Sequence, residues 1–217
     1  MNTPMPTVRA VGALAILAAA ACATATRQTS SGTVPPAPAA QRQAGGGGAP
    51  YTATDVWFMA GMIGHHAQAV LIAGWAPSHG ASQALSALCE RIVVGQRDEI
   101  VLMQRWLRDR HETVPGVDTS RHRMPGMDHA LMMPGMLTAE QLAQLDSARG
   151  PEFDRLFLKF MIQHHQGAIT MVNQLFGSQG GGEEEIVYRF ASDVYADQTT
   201  EIDRMNRMLD TLKRSPQ

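Results

Sequence analysis

The chain has 217 residues and a formal net charge of −2, and apolar residues make up 44% of it. This apolar content is enough for a packed core, which excludes disorder of the whole chain. Without an excess of positive charge, general nucleic-acid binding is not expected. Two cysteines are too few for a disulfide framework or a cysteine-only zinc site. The unusual counts are 14 methionines and 8 histidines, and they matter most for function.

The N-terminus is typical of an export signal. Arg9 precedes an apolar run over 10–21 that is too short to span a bilayer, so residues 1–21 are predicted to be a signal peptide. The position of Cys22 resembles a bacterial lipobox, which favours lipidation of Cys22 and anchoring of a periplasmic protein to a membrane. Ordinary cleavage nearby would instead release a soluble protein. Residues 22–50, rich in Ala, Pro and Gly, are predicted to be a disordered tether.

The remainder, 51–217, is predicted to be an all-α domain, because no long stretch alternates apolar and polar residues with a period of two. In chain order we expect helices near 54–75 and 82–112, a Met-rich connecting loop over 113–137, a short helix near 138–148, and helices near 152–176 and 184–213. A capping box at Thr138 and Gln141 starts the short helix, and Gly150–Pro151 is expected to end it.

The two pairs of long helices are copies of one another. At an offset of 99 residues, 55–70 is identical to 154–169 at 7 of 16 positions. At an offset of 102, 96–107 is identical to 198–209 at 6 of 12. Short loops between long helices place neighbours antiparallel. The sequence therefore predicts an up-down four-helix bundle of two duplicated helical hairpins, related by a pseudo-twofold axis.

Each hairpin carries a histidine pair and nearby methionines on its helices. Met62 precedes His65 and His66 by three and four residues, so it can share a face with either imidazole. The same spacing recurs at Met161, His164 and His165, and the partner helices add a glutamate and a methionine each: Glu99, Met103, Glu201 and Met205. Two equivalent pairs favour metal binding over hydrogen-bonded core histidines. For the glutamates, solvent exposure and an inward-facing role remain equally open.

The connecting loop contains two copies of Met-Pro-Gly-Met, at 124–127 and 133–136. Proline followed by glycine at the centre is typical of a type II turn, which brings its first and fourth residues together. Each copy is therefore predicted to present two thioethers, from Met124, Met127, Met133 and Met136. Thioether sulfur prefers Cu(I) and Ag(I) to hard cations. Packing of these methionines against the bundle is an equally good interpretation.

These motifs resemble the domain-of-unknown-function family 305 over about residues 51–213. The resemblance is carried by Met62-Ile-Gly-His-His66, Phe153-Asp-Arg-Leu-Phe157, Met161-Ile-Gln-His-His-Gln-Gly-Ala168, the repeated Gln-x-x-Glu-Ile-x-x-Met and the Met-Pro-Gly-Met loop. It implies a ferritin-like four-helix bundle. For some members it also implies an exported protein that binds copper or silver.

Hypotheses of different classes follow for the function. The first is an exported Cu(I)- or Ag(I)-binding protein, not an enzyme, that buffers copper, confers tolerance or passes copper to a partner protein. Its ligands would be the two histidine pairs with Met62 and Met161, and the loop thioethers would form an outer site. The alternatives are an iron- or manganese-dependent oxidase or peroxidase that uses Glu99 and Glu201, and a metal-free helical interaction module.

Overall fold

The computed structural model describes residues 50–116 and 133–214. Several predicted features lie outside the described residues: the signal peptide, Cys22, nearly all of the tether, Met124 and Met127. Within the described ranges the chain forms five helices: α1 (Ala53–Ala73), α2 (Gln83–Asp109), α3 (Ala139–Ser147), α4 (Gly150–Phe176) and α5 (Glu185–Arg214). The all-α prediction is confirmed, and each helix ends within about one turn of its predicted position.

Short polar side chains fix where the first three helices start. Thr52 caps α1 and forms a capping box with Asp55. Ser82 caps α2, where its side chain accepts a hydrogen bond from the backbone of Leu85. The capping box predicted for 138–141 is present at the start of α3. In each case a side-chain oxygen satisfies a backbone N–H that has no partner within its own helix.

Gly150 and Pro151 play a different part from the one predicted. Rather than ending the short helix, they form the first turn of α4. Gly150 adopts a φ of +57°, which permits the abrupt change of direction between the two helices. Proline suits the first turn of a helix because its missing N–H would have no helical partner there.

The four long helices form a bundle of two hairpins. α1 packs along α2, α4 packs along α5, α1 also contacts α4, and α3 lies against α4. The start of α2 lies beside the start of α4, since the Ser82 N–H donates to Asp154 at 3.1 Å. Near the end of α2, the Trp106 indole donates to Glu184, just before α5, at 3.1 Å. The helices α1, α2, α4 and α5 therefore run up, down, down and up, and not in the alternating up-down order that the sequence predicted. Short loops make neighbours antiparallel only within each hairpin, whereas the connection between α2 and α4 is long.

The two hairpins hold each other through a reciprocal pair of carboxylates. Asp55 of α1 accepts a hydrogen bond from the N–H of Gly182, in the α4–α5 turn, at 2.7 Å. Asp154, its counterpart in the duplication, accepts from Ser82, at the end of the α1–α2 turn. Both aspartates are buried. Each histidine-bearing helix therefore begins with a carboxylate that anchors the turn of the opposite hairpin.

The core consists of two apolar clusters, one toward each end of the bundle. The first includes Phe58 and Phe190, and the second includes Leu88, Phe153 and Phe157. Helix α1 is long and apolar enough to cross a membrane by length and composition, but most of it is buried inside the bundle, against α2 and α4. Between the two clusters lies a polar layer, which contains both histidine pairs.

Candidate metal centre

The polar layer brings together four imidazoles from α1 and α4. All four are completely buried: His65, His66, His164 and His165. We call His65 and His164 the inner pair, because their rings meet between α1 and α4 with centroids 3.8 Å apart. We call His66 and His165 the outer pair, because each reaches toward the second helix of its own hairpin. The sequence leaves this assignment open, since adjacent helical residues point about 100° apart and either could face inward.

The outer pair is bound to the two predicted glutamates. The Nε2–H of His66 donates to Glu99 at 2.6 Å, and that of His165 donates to Glu201 at 2.6 Å. The glutamate side chains are 23% and 25% exposed, so each links a buried ring to the solvent edge. A carboxylate that holds the second ring nitrogen is the usual support of a metal-binding histidine.

The inner pair is held by backbone carbonyls instead. The Nε2 of His164 lies 3.0 Å from the carbonyl oxygen of His65, and the Nε2 of His65 lies 3.0 Å from that of Pro134. Because a carbonyl oxygen only accepts, Nε2 of each ring carries the proton. In a neutral ring, Nδ1 is then left with a free lone pair.

Burial keeps the inner pair neutral. Desolvation, with a smaller contribution from the adjacent His66, lowers the pKa of His65 to about 3. Desolvation, followed by the charge of His65, also takes the pKa of His164 well below its usual value. Neutral imidazole is the form that binds a metal, so these rings do not have to lose a proton first at neutral pH.

The Nδ1 atoms of all four histidines are buried and have no hydrogen-bond partner. Buried polar atoms in proteins nearly always have one, and leaving such an atom unpaired costs about 1–3 kcal/mol. Here the unpaired atoms are four ring nitrogens in one layer, on rings whose opposite nitrogens already have hydrogen-bond partners. This arrangement fits metal ligation through Nδ1.

Within 50–116 and 133–214, no three His, Cys, Asp or Glu side chains are arranged to hold one ion. Methionine sulfur is the other donor near the layer. Met62 and Met161 lie one turn before the histidine pairs, Met103 and Met205 lie one turn after the glutamates, and all four are fully buried. Imidazole together with thioether is a donor set suited to Cu(I).

The second Met-Pro-Gly-Met copy lies directly on this layer. The Met136 N–H donates to the carbonyl of Met133 at 3.3 Å, and Gly135 has a φ of +79°, as the predicted type II turn requires. The Met133 thioether lies against α1 at Gly61, where an added Cβ would be 3.2 Å from the sulfur. Gly61 is one turn before His65, so the turn places a soft donor against α1, one helical turn from the inner pair.

Two glutamines that hold this turn were missed by sequence reasoning. Gln68 accepts from the Leu137 N–H at 2.7 Å and donates to the Leu137 carbonyl at 3.2 Å. Gln163 donates to the carbonyl of Gly135 at 3.3 Å. One feature of the sequence could have indicated that the turn packs here. Gly167 lies in the interior of α4, and the repeat does not account for a glycine at this position.

Comparisons with known proteins agree with this fold. Residues 55–209 match the family described as domain of unknown function DUF305. A DUF305 protein from Streptomyces coelicolor is 22% identical, with a TM-score of 0.62 over 76% of this chain and 96% of its own. A DUF305 fragment from Deinococcus radiodurans is 25% identical, with a TM-score of 0.62 over 73% of this chain and 96% of its own.

A further similar structure is that of CopM. In its Cu(I)-bound form it is 26% identical, with a TM-score of 0.55 over 72% of this chain and 96% of its own. CopM has also been solved in Cu(II)-bound and Ag-bound forms. No curated protein matches the sequence. The family match spans most of the chain and the solved structures share its helical bundle, so this protein belongs to the DUF305 family.

Proposed function

We propose that this protein is an exported binder of Cu(I) and Ag(I), and not an enzyme, with the histidine layer as its metal site. The observation that carries the proposal is the set of four buried Nδ1 atoms without partners. The metal-bound forms of CopM, a protein 26% identical to this one, support a soft metal as the ligand.

In this proposal the residues divide into ligands and supports. The ligands are Nδ1 of the four histidines and the thioethers of the adjacent methionines Met62, Met161, Met103 and Met205. Glu99 and Glu201 act as supports, because each already accepts a hydrogen bond from Nε2 of a histidine. Met133 and Met136, with Met124 and Met127 of the first copy, form the outer thioether site. The metal is cargo, so the protein needs no catalytic group.

Export and anchoring complete the proposal. The signal-like residues 1–21 direct the chain out of the cytoplasm, and Cys22 is the site of lipid attachment. In the periplasm, a reversible Cu(I) site serves to buffer copper or to pass it to a partner protein. Metabolic labelling with a radioactive fatty acid tests the anchor, since a Cys22→Ser variant is expected to lose the label and become soluble.

The iron or manganese alternative has less support. It needs carboxylates as direct ligands, yet Glu99 and Glu201 are engaged with imidazoles at the solvent edge. The metals named for the CopM structures are copper and silver. Titration with Fe(II) and Mn(II) separates this alternative from the proposal.

The main experiment is a titration of reduced, metal-free protein with Cu(I) against a chromogenic competitor, with Zn(II), Fe(II) and Mn(II) in parallel. Replacing all four histidines of the layer by alanine is expected to weaken Cu(I) binding by more than the roughly 10–100-fold that losing one supporting residue costs. The control is His111→Asn, because His111 is exposed and has a φ of 58°, which asparagine tolerates. Unchanged Cu(I) affinity in the four-histidine variant, with helicity retained, refutes the proposal.

A further inference from the structure

We infer that the Met133–Met136 turn increases the selectivity of the histidine layer for Cu(I) over Zn(II) by adding the Met133 thioether to the buried methionines, and that Gln68, Gln163 and Gly167 are the positioning residues that hold the turn there. This rests on the proposed function, since it assumes that the layer binds metal. Imidazole nitrogen alone suits copper and zinc alike, whereas thioether sulfur favours Cu(I). Each thioether fixed beside the imidazoles, including Met133, therefore adds to the preference for Cu(I) over Zn(II).

The turn packs against α4 at Gly135 and Gly167, and we call this backbone contact the seat of the turn. A Cβ at Gly167 would overlap the carbonyl oxygen of Pro134 and lie 2.6 Å from Cα of Gly135. A Cβ at Gly135 would in turn lie 2.6 Å from the carbonyl oxygen of Gln163. The backbones of the turn and of α4 are thus in direct contact. Glycine inside a helix is unfavourable relative to alanine, and this contact gives Gly167 a physical reason to be there.

The turn is fastened on both sides of its seat. On the α1 side, the buried Gln68 makes two hydrogen bonds to the backbone of Leu137. On the α4 side, Gln163 donates to Gly135 and also accepts from Gln141 of α3, at 2.9 Å. These glutamines bond to backbone groups of the connection, so they act on the metal site through the turn.

Docking of the turn has two effects on the inner pair. The Pro134 carbonyl accepts from Nε2–H of His65, which leaves Nδ1 of that ring as the free ligand. The Met133 sulfur is brought against Gly61, one turn from the same histidine. Nε2 of His164, by contrast, donates to the carbonyl of His65 and not to the turn. The turn is therefore expected to act mainly on the half of the layer around His65.

The test compares two glycine-to-alanine substitutions in the full chain. Gly167→Ala pushes the turn off its seat. Gly95→Ala is the matched control, since Gly95 also lies inside a helix but a Cβ there meets no atom within 4 Å. Alanine favours the helix in both variants, so a difference between them reports the turn. Met133→Leu removes the thioether without disturbing the seat and serves if Gly167→Ala fails to fold.

Two measurements are made, the first on the wild type and the two glycine variants, and the second on all the variants. Peptide mass spectrometry follows oxidation of Met133 by hydrogen peroxide in metal-free protein, and competition titrations give the Cu(I) and Zn(II) affinities. Gly167→Ala is expected to oxidise at Met133 several-fold faster and to lose about tenfold in Cu(I) affinity relative to Zn(II), as loss of a supporting residue does. Gly95→Ala is expected to match the wild type, and Met133→Leu to reproduce the loss of selectivity.

The outcomes separate the inference from the proposed function. Unchanged selectivity in Gly167→Ala and Met133→Leu, while the wild type binds Cu(I), overturns the inference alone. Unchanged Met133 oxidation in a folded Gly167→Ala variant also overturns it, because the turn is then not held by this seat. A wild-type protein that does not bind Cu(I) overturns the proposed function, whatever the oxidation rates show.

Discussion

The two hairpins treat their outer histidines alike and their inner histidines differently. His66 and His165 each donate to a glutamate at 2.6 Å. His164 instead donates to the backbone of its counterpart, His65, whereas His65 donates to Pro134 in the connection. The connection has no copy in the duplication, and among its described residues Pro134 meets the layer at His65. Duplicated sequence thus produces duplicated geometry only where the neighbours are duplicated as well.

The largest expected effect on Cu(I) affinity tests whether the two members of the outer pair are equivalent. Glu99→Gln and Glu201→Gln each remove the negative charge that supports a histidine, so each is expected to lower Cu(I) affinity by about tenfold. Competition titration of both variants measures this, with Glu90→Gln, at an exposed position on α2, as the control. A loss in one variant without a similar loss in the other contradicts the symmetry of the outer pair.

The largest expected effect on the free energy of unfolding concerns the two carboxylates that join the hairpins. Asp55 accepts from the backbone and hydroxyl of Thr52 and from Gly182, whereas Asp154 accepts only from Ser82 among the bonds described. Asp55→Ala is therefore expected to lower the free energy of unfolding by about 3 kcal/mol and Asp154→Ala by about 1 kcal/mol. Urea denaturation measures both. Equal losses would mean that the hydrogen bonds from Thr52 to the Asp55 carboxylate add nothing.

A smaller effect distinguishes the two members of the inner pair. His65→Ala removes the donor to Pro134, so Met133 in metal-free protein is expected to oxidise about two- to threefold faster, as expected when one net hydrogen bond that holds the turn is lost. His164→Ala leaves that bond in place and is expected to change the rate less. Oxidation by hydrogen peroxide, followed by peptide mass spectrometry, compares them. A faster rate in His164→Ala than in His65→Ala contradicts this account.

The smallest effect on the free energy of unfolding is expected at Cys89, a position where each hairpin has a small buried residue. Cys89 corresponds to Ala191 at the offset of 102, and both are buried. Cys89→Ala is expected to change the free energy of unfolding by less than about 1 kcal/mol. Burial raises the pKa of the Cys89 thiol to about 12, so alkylation of the folded protein near pH 8 should not modify it. Modification of Cys89 before unfolding would contradict this.

Local patterns in the sequence were sufficient to predict the helices and the repeat. The apolar period and the capping box at Thr138 placed the helices, and the matched His-His segments predicted two hairpins. Gly150–Pro151 was misassigned because the same two residues can stop one helix or start the next. The type II turn of 133–136 also followed from local sequence alone.

The contacts around the histidines could not be predicted in the same way. The bond from His65 to Pro134 joins residues 69 positions apart, and no local pattern encodes it. The direction of each ring depends on which helix lies opposite, and the period of a helix does not specify that. For Glu99 and Glu201, the sequence could not decide between solvent exposure and an inward-facing role. In the structure both descriptions apply, because each glutamate is partly exposed and is hydrogen-bonded to a buried histidine ring. Metal ligation by the predicted residues stays a prediction.

The reciprocal carboxylates have a consequence for when the protein folds during its synthesis. The bond from Gly182 to Asp55 spans 127 residues, and the bond from Ser82 to Asp154 spans 72. The N-terminal hairpin therefore lacks both anchors while it is being made, and neither the α1 carboxylate nor the α1–α2 turn finds its partner until the second hairpin follows. Pairings so distant in sequence form slowly. A chain whose synthesis stops before residue 182 is expected to be loosely folded and readily cut by proteases.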